Sequence, residues 1–66
     1  MPCEVHFTSG AKLTLSDDAE IVAARLAHGK LERFEQPGKR PAVWINPMNV
    51  LYVAASGETP ATVGFG

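Results

Sequence analysis

"PAVWINPMNVLYVAAS", residues 41–56, decides how this chain is read. Val43-Trp44-Ile45 and the run from Val50 to Ala55 are both apolar and strand-like, and Asn46-Pro47 separates them. Proline has no N–H to give to a sheet ladder, so the segment reads as two strands joined by a bend. It carries no charge. Its apolar side chains are therefore first of all core, and Trp44 and Tyr52 are the residues to weigh for another role.

Upstream, "LERFEQ" (residues 31–36) is a polar strand with Phe34 as its main apolar residue. Pro37 and Gly38 suit the central positions of a type II turn, where proline presets φ and glycine takes a positive φ. Residues 31–46 thus read as a hairpin. Before it, "SDDAEIVAARLAHGK" (residues 16–30) has the period of a helix. Ser16 or Asp17 is the expected cap, with Glu20 completing a capping box on Asp17. Asp17, Asp18 and Glu20 suit the positive end of the helix dipole. Ala19, Val22, Ala23 and Leu26 form an apolar stripe that Ile21 widens. Gly29 supplies the left-handed stop. At the start, Cys3, Val5 and Phe7 alternate with Glu4, His6 and Thr8, and "AKLTLS" alternates again after Ser9-Gly10, which predicts a second hairpin.

The expected fold is α+β. A small, mostly antiparallel sheet in the order ββαβββ carries one helix on one face. Residues 1–55 form the domain, and residues 56–66 are a tail expected to dock through Val63 and Phe65. Leu13, Leu15, Val22, Leu26, Phe34, Val43, Ile45, Leu51 and Val53 are the expected core. Cys3 is expected as a small buried hydrophobe, with no cation placed to activate it.

Several functions are disfavoured by composition. A chain of 66 residues hides only about 60% of its unfolded surface, so its core is marginal. A single cysteine allows no internal disulfide, and one Cys with two scattered His gives no zinc spacing. No cofactor is expected, and self-association becomes a more attractive source of stability. A net charge of −1 disfavours non-specific nucleic-acid binding. No apolar run reaches the roughly 18 residues of a membrane span. The first residues lack the basic and apolar regions of a signal peptide, and one free cysteine suits a reducing compartment, so a cytoplasmic location is expected.

The candidate site residues are few. Trp44 alternates with Val43 and Ile45, so it faces away from the helix. It is either a platform for a partner or packed beneath the tail or a second subunit. Tyr52 is expected beside it on the adjacent strand. Arg33, Lys39 and Arg40 form the one basic cluster, able to grip phosphate or an acidic partner, or simply solvated. His6 and His28 read as surface or cap residues. Ser9 and Ser56 lack the setting of a nucleophile, and the glycines of the tail precede no helix that would hold a phosphate.

The C-terminal run "VLYVAASGETPATVGFG" resembles the end of a small actinobacterial family of unknown function. Tyr52, Val53, Gly57 and Val63 to Gly66 carry that likeness. The shorter helix and the "INPMN" segment depart from it. Ile45-Asn46-Pro47 before a strand instead resembles small bacterial proteins of the FlbD type. Neither resemblance implies a catalytic motif. The expected role is a non-enzymatic interaction module that docks to itself or to another protein, using Trp44, Tyr52 and Phe65. The alternative is a nucleic-acid-binding or regulatory domain using Arg33, Lys39, Arg40 and Trp44.

Overall fold

The Asn46-Pro47 break is where the chain passes from one sheet to another. A computed structural model describes residues 1–55; residues 56–66, including Phe65 and the expected docked tail, lie outside the described residues. Strands β1 (Cys3–Phe7), β2 (Lys12–Leu15) and β5 (Val50–Ala55) form one antiparallel sheet in the order β2-β1-β5. Strands β3 (Glu32–Phe34) and β4 (Val43–Ile45) form a separate two-stranded sheet. One helix, α1 (Ala19–Leu26), lies between β2 and β3 in the chain and packs against β5. The α+β class and the order ββαβββ are thus as expected, with the five strands divided three and two.

Local chemistry explains each junction. Gly10 closes the β1–β2 turn at φ +95, a conformation that strains any residue bearing a Cβ. Between β4 and β5, Pro47–Asn49 form a single 3-10 turn. The Asn46 side chain accepts the Met48 N–H at 3.0 Å, and the Asn49 N–H reaches the Asn46 carbonyl at 3.0 Å. Asn46 is thus the cap that turns the chain between sheets. The two sheets also meet where the Ser16 N–H at the end of β2 donates to the Glu35 carbonyl past β3, at 2.9 Å.

The helix differs from expectation at its start. Asp18, not Ser16 or Asp17, holds the N-cap position, and its side chain makes no capping bond. Its carboxylate pairs with the amino group of Met1 instead. Gly29 has the expected positive φ, +77, but lies two residues beyond the Ala27 cap, not directly after it. Only Val22 and Leu26 are fully buried on the helix, with Ala19 packed alongside; Ile21 and Ala23 face outward. The stripe is narrower than the spacing suggested, because eight residues give only two turns to press on the sheet.

Cys3, Val5, Leu15, Val22, Leu26, Phe34 and Ile45 make the core. Phe7, Val43, Val50 and Val53 pack around it. Cross-strand register assembles the sheet's contribution: Cys3 lies opposite Leu15 and Ala55, and Val5 opposite Leu13 and Val53. Two expected core residues are not there: Leu13 is only half-buried and lies outside the core cluster, and Leu51 is at the surface. The register slips between His6 and Phe7, which pair with Tyr52 and Val50, so Leu51 is left without a partner. A bulge of this kind adds one residue and interrupts the alternation. Leu51 is consequently 63% exposed.

Candidate functional site

Strand alternation and the bulge together set what the molecule presents to solvent. With Val5 and Val53 turned inward, Glu4, His6 and Tyr52 share the outer face of the three-stranded sheet. His6 and Tyr52 are directly opposed, and their rings stack with centroids 4.4 Å apart and planes 18° from parallel. Glu4, two residues before His6, lies on the same face. Its Oε1 is 3.3 Å from His6 Nε2. The expectation for His6 is only a surface or cap residue without a carboxylate partner; the period-two spacing of Glu4 and His6 is the signal that points to this pair. The Tyr52 contact required knowledge of the strand order.

Beside this face, Met48, Leu51 and Tyr52 are 84%, 63% and 54% exposed. The bulge puts Leu51 and Tyr52, neighbours in sequence, both outward. An apolar patch therefore lies at the beginning of β5.

Trp44 is on the other sheet. It pairs with Arg33 across β3–β4, and the Arg33 guanidinium lies 6.0 Å from the indole centroid. Trp44 and Tyr52 thus belong to different sheets, which corrects the expectation that they are strand neighbours. Trp44 is 61% exposed, so no described residue supplies the expected cover. Arg33 also pairs with Glu35 at 2.9 Å. Lys39 and Arg40 sit in the exposed loop between β3 and β4. The hairpin therefore does gather Arg33, Lys39, Arg40 and Trp44 on one element.

The strongest polar network joins helix to hairpin. Arg25 donates from Nε to Glu32 at 3.1 Å and from a terminal nitrogen to the Arg33 carbonyl at 2.8 Å. Its guanidinium lies over the Phe34 ring. His28 Nδ1 meets the second Glu32 oxygen at 2.8 Å. The His28 bond, with Arg25 adding to it, holds the Glu32 carboxyl below the usual range. No sequence motif announces this network, because its residues lie on separate elements. Each group in it is engaged in joining the helix to β3.

Cys3 is fully buried, and its thiol is pushed up by that burial, with Asp17 and Asp18 adding to the effect. A thiol held protonated in the core is a poor nucleophile. Among the described residues, no group of three or more His, Cys, Asp or Glu is placed to hold a metal ion. A shallow depression of about 290 Å³ lies between Met1, Pro2, the start of α1 and Ala55. Its Asp18 carboxylate is already paired with the Met1 amino group. No described helix is long and apolar enough to cross a membrane.

No family model, curated protein or solved structure matches the chain.

Proposed function

We propose that this protein is a non-enzymatic interaction module that associates with a second copy of itself through the patch at the start of β5. The observation that supports this is the bulge at Leu51. Regular alternation would turn Leu51 to the core with Val53; the bulge turns it to solvent beside Tyr52 and Met48. A small domain with a marginal core gains from burying such side chains, and a bulge is a device that re-aims one. Val50–Ala55 carry no charge, so two copies meet there without like-charge repulsion. A two-fold axis would bring the same patch together from both subunits.

Sedimentation over a concentration series tests the proposal. The parent is expected to form a dimer, and Leu51→Lys to be monomeric with an unchanged circular-dichroism spectrum. A parent that stays monomeric at the highest concentrations, or a Leu51→Lys variant that still dimerises, rules it out.

A further inference from the structure

The β3–β4 hairpin carries a second surface, on a different element from the Leu51 patch. We propose that it binds single-stranded nucleic acid, with Trp44 stacking on a base and Arg33, Lys39 and Arg40 meeting the flanking phosphates.

The charge distribution is the first support. Residues 32–45, the hairpin, hold three basic residues and two acidic ones, a net +1 within a chain of net −1, so the remainder carries −2. The hairpin is thus the positive pole of a mildly acidic molecule. This local pole escapes a judgement made from total charge. Neither Lys39 nor Arg40 is in an ion pair among the described residues. Arg40 is separated from Trp44 by at most about 14 Å of extended chain. Base and phosphate contacts therefore fall on one short segment of ligand.

The exposed indole is the second support, and it selects the class of ligand. An acidic peptide would use the three cations and leave Trp44 idle. A duplex keeps its base faces stacked internally. A single strand offers both a free π-face and phosphates, and it can stack on an indole and on an arginine plane alike. The Arg33 guanidinium lies over one face of the Trp44 ring, 6.0 Å from its centroid, so the base stacks on the other face. Glu35 now occupies Arg33, and both side chains of that pair are exposed. An incoming phosphate would have to displace this carboxylate. Glu35 is thus a built-in competitor whose removal should tighten binding.

The test uses the full chain and a short fluorescein-labelled oligothymidylate. Trp44 is the only tryptophan, so its own emission reports stacking. The oligonucleotide is expected to quench it. Three phosphate contacts on a single strand give a log–log salt slope of about −2. By fluorescence anisotropy, Trp44→Ala should weaken binding by about fivefold or more, the range for loss of one stacked base. Arg40→Glu, in an exposed loop where folding is not at issue, should weaken binding as well, and Glu35→Gln should strengthen it. Absence of quenching at low salt and millimolar nucleotide overturns the proposal. So does equal competition by oligoglutamate combined with an unaffected Trp44→Ala variant, which would make the hairpin a site for acidic protein.

Discussion

Arg25 lies over the ring of Phe34, its guanidinium carbon 4.4 Å from the centroid, while its nitrogens bind Glu32 and the Arg33 carbonyl. One side chain thereby covers a core aromatic, satisfies a carboxylate and ties α1 to β3. Arg25→Ala should lower stability by about 1–3 kcal/mol, combining a charge-assisted bond with a cation–π contact. Arg25→Lys should recover only part, because an ammonium cannot reproduce the planar fork. Thermal melts check this, and a melting temperature unchanged in Arg25→Ala would remove the clamp from the account.

Glu32 makes the same junction sensitive to acid. Its carboxyl is held below the usual range, first by His28 and then by Arg25. A depressed folded-state pKa contributes stability that is fully present above the unfolded value, roughly 4.3 for glutamate. That contribution is lost as pH falls through the lower folded-state value. The parent should therefore exceed Glu32→Gln in stability above that window and converge on it in stronger acid. Denaturant melts of both proteins across the window decide the point. Parallel curves would show that the carboxylate contributes nothing through its charge.

Two leucines separate core from surface. Leu26, only 8% exposed on α1, should cost about 2–5 kcal/mol when replaced by Ala, which would unfold much of so small a domain. In dilute protein, where the Leu51 patch is unpaired, Leu51→Ala should change stability by about 0.5 kcal/mol or less, as for other surface positions. Equilibrium unfolding of the two variants compares them directly. Similar losses at both sites would mean that the bulge is absent in solution.

Cys3 should be silent toward thiol reagents in the native protein. It is fully buried and its thiol is pushed up. Its labelling should be about 100-fold or more slower than in denaturant, since the reagent must wait for the strand to open. Rapid labelling of folded protein would show that β1 frays at its start.

Short-range signals were enough for the elements themselves. The glycines at 10, 29 and 38 adopt positive φ where turns or a helix stop were expected. Asn46-Pro47 ends a strand, and the alternation of β1 places Val5 and Cys3 inside. Each of these depends on steric and hydrogen-bonding rules that act over a few residues. The paired sheets, the Leu51 bulge, the His6–Tyr52 stack and the Arg25–Glu32–His28 network depend on which strands lie side by side. A one-residue slip of register reverses the face of every side chain beyond it. Nothing within "VLYVAA" shows where that slip falls, because it is set by Phe7 pairing with Val50 while His6 pairs with Tyr52. Leu51 therefore looked like core in the chain and is surface in the fold. Trp44, whose exposure follows from simple alternation between Val43 and Ile45, was legible from the start, but its partner Arg33 was settled only by the pairing of β3 with β4.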